Sequence, residues 1–210
     1  MSEPFQKSTV REYFESIVIA VILALFVRTF VVQAFKIPSG SMEDNLLVGD
    51  HLLVNKFIYG PAPTALERAL LPVREIRRGD VIVFKYPGGP DRDFIKRTIG
   101  LPGETVEVRD KVVFVNGQPL DQSAYNLKFR PRSLDPNLPP WAINFGPVTV
   151  PEGHLFMMGD NRDDSSDSRS DEWRFLPIAY VKGRAMTIYF SYAPQGLTSI
   201  RFGRLFKQVH

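Results

Sequence analysis

The sequence predicts a mostly β domain of ordinary size set behind one N-terminal apolar helix. Three observations predict it: one long apolar run near the N-terminus, short Val, Ile and Phe-rich runs from residue 36 onward, and Gly or Pro between those runs. At 210 residues the chain has room for one extramembrane domain with its own core, plus an anchor. The net charge of +3 comes from 26 basic and 23 acidic residues spread along the chain, and no basic block marks a nucleic-acid surface. Cysteine is absent, which removes disulfides, thiolate metal sites and a cysteine nucleophile. His51, His154 and His210 stand apart without metal-ligand spacing, so no metal is expected.

Residues 1–15 carry Lys7 and Arg11 ahead of the apolar run and are expected on the cytoplasmic side of a membrane. Residues 16–35 are expected to form a transmembrane helix: Ile17 to Val27 is uninterrupted apolar sequence, and Phe30 to Val32 resumes it. At about 1.5 Å per residue this segment is roughly 30 Å long, enough to cross the hydrocarbon core. Arg28 fits near the outer end, where its stem can snorkel to the headgroups. A cleavable signal peptide and a buried helix stay open as other readings, although "VVQAFKIPSG" offers no clean A-x-A site.

Residues 36–210 make the domain. "DHLLVNKF", "DVIVFKY", "DFIKRTIG", "ETVEVRD", "KVVFVNGQPL", "GPVTVPEG", "HLFMMGD" and "RAMTIYFSY" read as strands bounded by turn formers. Val106 and Val108 face Val113 and Val115 across a predicted hairpin, and Asn116-Gly117 marks the next tight turn. A short helix is expected around Thr64 to Leu70. Residues 121–147, with five prolines and little periodicity, read as a long surface excursion, either partner-binding or a plain insertion. "IAYVKGRAMTIYFSY" is broken by Lys182, Gly183 and Arg184 and reads as a strand inside the domain, not a second span.

Three polar segments carry candidate chemistry. In Pro38-Ser39-Gly40-Ser41, Gly40 lets the backbone bend, Ser39 can donate a hydroxyl, and Ser41 can present Oγ and its own N–H; the same four residues are also ordinary turn chemistry. No histidine has a recognisable triad setting, which leaves lysine as a base if burial lowers its pKa. Lys96 is the best-placed candidate, since strand alternation sets it with Phe94 and Thr98, and Arg97 opposite with Ile95 and Ile99; a solvent-facing lysine is the other reading. "MGDNRDDSSDSRSDEWRF" packs Asp, Ser and Arg into one segment that fails the calcium-loop template. It is either a solvated loop or one locked by Asp–Arg pairs.

Taken together, "IPSGSM", "GDHLLVNKF", "RRGDVIVFKYP", "FIKRTIGLPGE" and "GDNRDDSSDSR", in this order behind the apolar run, resemble the bacterial type I signal peptidases. The resemblance implies antiparallel sheets carried on one transmembrane helix, and a Ser-Lys endopeptidase without metal or cofactor. It implies Ser41 as nucleophile, Lys96 as general base, and Ser39 with the Ser41 amide as the oxyanion hole. Ser165 is implied to orient the lysine, with Asp167 and Arg169 holding the last segment in place. Ile37, Pro38, Met42, Leu46, Phe94 and Ile95 are implied to line shallow pockets for small residues before the cut, with Phe35 and Asp93 near. The implied partners are secretory preproteins and membrane lipid, and the implied location is the extracytoplasmic face of the bacterial inner membrane. Self-cleaving SOS repressors share Ser-Lys chemistry but carry a DNA-binding helical domain where this chain has its apolar run. A specialised processing peptidase and a non-cutting tether also stay open.

Overall fold

The computed structural model describes residues 8–26, 32–60, 73–89, 91–123, 125, 127–129, 138–193 and 199–210. Helix α1 spans Thr9–Phe26, where a run of Ile, Val, Ala and Leu follows a polar first half, and none of its side chains is buried. The segment expected as one helix over 16–35 is divided, because Val32–Lys36 form strand β1, antiparallel to β2 (Asp50–Asn55). Val32 pairs with Asn55 and Phe35 with Leu52, so the ladder takes the last residues assigned to the predicted helix. Among the described residues no helix is long and apolar enough to cross a membrane. In α1, Arg11, Glu12 and Glu15 occupy the first two turns, and the apolar remainder from Ile17 to Phe26 covers only about 15 Å of a core about 30 Å thick. Residues 27–31, the rest of the predicted span, lie outside the described residues, as does the helix expected around Thr64 to Leu70.

The remaining strands follow the sequence pattern closely. They are β3 (Val81–Lys85), β4 (Asp93–Gly100), β5 (Thr105–Arg109), β6 (Val112–Val115), β7 (Gln118–Pro119), β8 (Phe145–Thr149), β9 (His154–Met158), β10 (Leu176–Pro177) and β11 (Val181–Ser191). A seven-stranded sheet has the order β1-β2-β11-β3-β4-β9-β10, and a four-stranded sheet the order β7-β6-β5-β8; every ladder is antiparallel. Val106 faces Val115 and Val108 faces Val113, as the hairpin reading expects. Its turn holds Asp110 and Lys111 at positive φ, and Asn116-Gly117 does the same before β7, the twist that two-residue hairpins prefer.

Both faces of the large sheet are covered, which explains why β3 reads as unbroken apolar sequence instead of alternating. Val81 and Val83 join a core with Ile37, Met42, Leu46, Leu52, Val54 and Ile95, while Ile82 and Phe84 join another with Leu155, Met157, Trp173 and Leu176. A third core, built on Ile99, Val106, Val113, Phe156 and Met158, ties the small sheet to β4 and β9. The 121–147 excursion is more ordered than its composition suggests where it is described. Helix α2 (Pro140–Ile143) starts with proline at its first position, buries Ala142, and leads into β8. Lys128 forms a bridge with Asn161, which brings the excursion against the polar 158–175 segment.

Candidate active site

The serine turn is held by its apolar neighbours. Ile37 N–H donates to the Asp50 carbonyl at 2.8 Å and Gly49 N–H donates to the Ile37 carbonyl at 3.1 Å, extending the β1–β2 pairing up to the turn. Met42 and Leu46 then sink into the core, with Leu46 N–H donating to the Met42 carbonyl at 2.8 Å. Between these anchors Ser39 is exposed and Ser41 half-buried. Gly40 does not adopt a positive φ; a Cβ there would crowd the Glu43 carboxylate at 3.1 Å. The predicted flexible bend is therefore a close approach, with Glu43 N–H donating to the Gly40 carbonyl at 3.0 Å. The Ser41 N–H makes no hydrogen bond with the described residues, so it is free to meet an incoming carbonyl oxygen.

Strand β4 delivers the base. Lys96 is 3% exposed, its Nζ lies 2.5 Å from Ser41 Oγ, and it sits 5.6 Å from the Phe94 ring centroid on the face that strand alternation predicts. Burial pushes its ammonium down to a pKa of about 8; Asp167 and Asp160 pull upward and Arg169 reinforces the fall. Arg97, on the opposite side of the strand, is buried too. It donates in bidentate fashion to Asp160 at 2.7 Å, and to the Gly79 and His210 carbonyls at 2.7 Å.

The 158–175 segment is a locked loop. Asp167 accepts from Gly159 N–H at 2.9 Å and from Arg169 Nε and an Nη at 2.9 and 2.8 Å. Burial by itself would raise the Asp167 carboxyl, but the Arg169 guanidinium, the Gly159 amide and Lys96 hold it below the usual carboxylate range. Arg169 lies 5.0 Å from the Trp141 ring of α2. Ser165 is buried beside Gly159 and the Ser41 carbonyl, yet its Oγ has no hydrogen-bond partner, so the expected bond to Lys96 is not formed.

Sequence reasoning left two members of this loop without a role. Asn161 donates from its backbone to the Ser41 carbonyl and from Nδ2 to the Gly40 carbonyl, both at 3.1 Å, clamping the serine turn from outside. Gly159 has no room for a side chain, since a Cβ would overlap Ser165 Oγ and the Ser41 carbonyl oxygen. Both lie in the quoted "GDNRDD" motif, but only a contact more than a hundred residues away in sequence reveals what they hold.

Pro38, Ser39, Ser41, Asp93, Phe94, Ile95 and Lys96 line a hollow of about 380 Å³, with Asp164 and Ser166 on its wall. Of the residues expected in shallow pockets, Pro38, Asp93, Phe94 and Ile95 reach it. Ile37, Met42 and Leu46, at 2%, 0% and 1% exposure, do not line it; they are packed in the core with Ile95, because the turn needs apolar anchors on both sides of the serine. Phe35 packs against the same core. Asp93 is paired with Lys182 at 2.7 Å. Arg97 is paired on both sides, with Val81 of β3 and Met158 of β9, and the β9 ladder continues to Gly100, but the first half of β4, Asp93–Lys96, has only β3 as a neighbour. Among the described residues no group of His, Asp and Glu could hold a metal ion.

A family model described as signal peptidase, peptidase S26, matches residues 10–190. A signal peptidase I of Pseudomonas aeruginosa is 34% identical, with 90% of this chain and 75% of that protein covered. That of Aquifex aeolicus is 32% identical over 90% of this chain and 87% of its own. A probable signal peptidase I of a Synechocystis strain is 38% identical over 86% and 83%. Among solved structures, a signal peptidase I of Enterococcus faecalis is 34% identical, covers 53% of this chain and 97% of its own, and superposes with a TM-score of 0.42.

Proposed function

This chain belongs to the signal peptidase family, peptidase S26, and is a peptide hydrolase that removes signal peptides; on that premise we propose that it cuts with a Ser41–Lys96 dyad. The observation that carries this reading is the 2.5 Å approach of Lys96 Nζ to Ser41 Oγ, with both residues lining a hollow of about 380 Å³. With a pKa of about 8, roughly a tenth of Lys96 is neutral at pH 7, against almost none for a solvated lysine.

Neutral Lys96 takes the proton from Ser41 Oγ as the oxygen attacks the scissile carbonyl. The oxyanion receives hydrogen bonds from the Ser41 N–H and the Ser39 hydroxyl. Lys96 then returns its proton to the departing amine of the mature chain, leaving the signal peptide esterified to Ser41. Water, deprotonated by Lys96, attacks this ester; the C–Oγ bond breaks, the Lys96 ammonium returns the proton to Ser41 Oγ, and the signal peptide leaves with a new carboxyl group that ionises in solvent. Asp167 and Arg169 keep the loop behind Lys96 in place, and Ser165, buried beside the Ser41 carbonyl, is assigned to orienting the amine.

The substrate adds as a strand along the edge of Asp93–Lys96 that faces away from β3, where main-chain hydrogen bonds bind any sequence and side-chain space selects. Pro38, Phe94 and Ile95 leave room for small side chains at the first and third positions before the cut, the A-x-A rule. The exposed apolar face of α1 anchors the chain in the inner membrane, with the β domain on the extracytoplasmic face. Mass spectrometry of a secretory preprotein incubated in lipid with the full chain tests the dyad. One cut after A-x-A, absent with Ser41→Ala, is expected; cutting by Ser41→Ala would end the assignment.

A further inference from the structure

The catalytic hollow does not stand alone. Asp164 and Ser166, both exposed, also line a second hollow of about 440 Å³. Its far side is built by Leu138, Pro139 and Trp141 around the start of α2, and Glu172 stands on its edge. This is the described end of the Pro-rich excursion, a feature for which the cutting chemistry has no use.

The wall is held from behind. The Arg169 guanidinium that binds Asp167 lies 5.0 Å from the Trp141 ring. Lys111 N–H donates to the Ile143 carbonyl at 2.9 Å, and Asp110 N–H donates to Asn144 Oδ1 at 2.9 Å, tying the C-terminal end of α2 to the β5–β6 hairpin. The Glu172 carboxylate accepts from Ser166 Oγ at 3.0 Å and from the Tyr86 hydroxyl at 3.1 Å, which points a negative charge along the shared wall.

The lining of the catalytic hollow divides by element. Pro38 to Ser41 belong to the serine turn, and Asp93 to Lys96 to the strand that takes the residues before the cut. The wall that remains is Asp164 and Ser166, and the second hollow lies beyond it. We propose that this second hollow is the subsite for the residues immediately after the scissile bond, receiving apolar side chains on Leu138, Pro139 and Trp141 and disfavouring acidic ones through Asp164 and Glu172. The inference rests on the Ser41–Lys96 reading. It makes the excursion a specificity element that reads the start of the mature protein, so that preproteins with identical A-x-A sites are cut at different rates.

The test uses the full chain in detergent and two kinds of substrate. One is a preprotein series with Leu, Lys or Glu at the second to fourth positions after the cut. The other is the signal segment ending in a small alcohol ester, which has no residue to place in the second hollow. Wild type is expected to cut the Leu and Lys preproteins about tenfold faster than the Glu form in kcat/KM. Glu172→Lys should shrink or reverse the Lys-over-Glu ratio by about fivefold. Trp141→Ala should slow the Leu preprotein about tenfold more than it slows the ester. Each ratio is taken within one variant, so the folded fraction cancels. Equal loss on both substrates in Trp141→Ala would make that residue a prop for Arg169 alone and overturn the subsite. Preprotein rates that ignore the residues after the cut, while the ester still turns over through Ser41, would keep the dyad and also overturn it.

Discussion

Lys96 is a cation taken out of water, and both its reactivity and its cost to folding follow from that burial. Only the neutral amine accepts the Ser41 proton, so kcat/KM should climb with pH through an apparent pKa near 8. A flat profile between about pH 6 and 9 would remove Lys96 as the base. The stability linkage has the same origin. The unfolded lysine keeps its proton up to 10.5 and the folded one loses it at about 8, so stability rises with pH across that window, and the full penalty is present below it. Lys96→Met should therefore abolish cleavage yet stabilise the fold at pH 7 by on the order of 3 kcal/mol in urea titration. Ser39→Ala should lower kcat about a hundredfold with KM little changed, if its hydroxyl meets the oxyanion. Ser165 has no hydrogen-bond partner, so its role depends on whether it engages the neutral amine during turnover. A Ser165→Ala enzyme that is slower and whose acid limb has moved would support that role, and an unmoved limb would refute it. Ser41 and Lys96 stood out as candidates because the serine turn and the strand alternation are local, but the residues alone left a plain turn and a solvent-facing lysine open, and the resemblance singled them out. The lowered pKa was not, because it depends on what packs over the amine.

At the scale of elements, the serine turn, β4 and the 159–169 loop are interlocked. Asn161 clamps the turn, Asp160 pairs with Arg97 of β4, and Asp167 faces Lys96. Removing one partner of the buried Arg97–Asp160 pair leaves a charge without compensation, so Asp160→Ala should cost about 3–5 kcal/mol of stability by thermal or chemical unfolding. Gly159→Ala should act differently. Its methyl group would push on the Ser41 carbonyl and Ser165, so activity should fall by far more than stability, and a fully active Gly159→Ala would contradict the close packing. The acid-rich composition of this segment suggested either a solvated or a locked loop, and composition could not choose between them. Burial of Arg162, Asp167 and Arg169 is decided by Gln122, Trp141 and β4, which come from elsewhere in the chain.

Across the whole molecule, α1 buries no side chain, so the β domain owes it no packing energy. A form lacking residues 1–31 should keep an unfolding temperature close to that of the full chain. In the anchored reading it should cut a soluble peptide at a similar rate, but a preprotein embedded in vesicles far more slowly, since anchoring raises the local concentration of enzyme at the membrane. Equal rates on the embedded preprotein would argue against anchoring. The sequence by itself determined what is local: the β strands, the Asp110-Lys111 and Asn116-Gly117 turns, and the residue types able to serve as nucleophile and base. Periodicity of two and the steric demands of tight turns act within a few residues, which is why they can be read in order along the chain. Tertiary structure alone decided that Val32–Phe35 pair in a sheet rather than finish a helix, and that Ile37, Met42 and Leu46 are buried in the core rather than lining the hollow. It also decided that Ser41 meets an amine 55 residues away. Burial and hydrogen-bond partners are set by which faces pack together, and that choice is made across the fold, not along the chain.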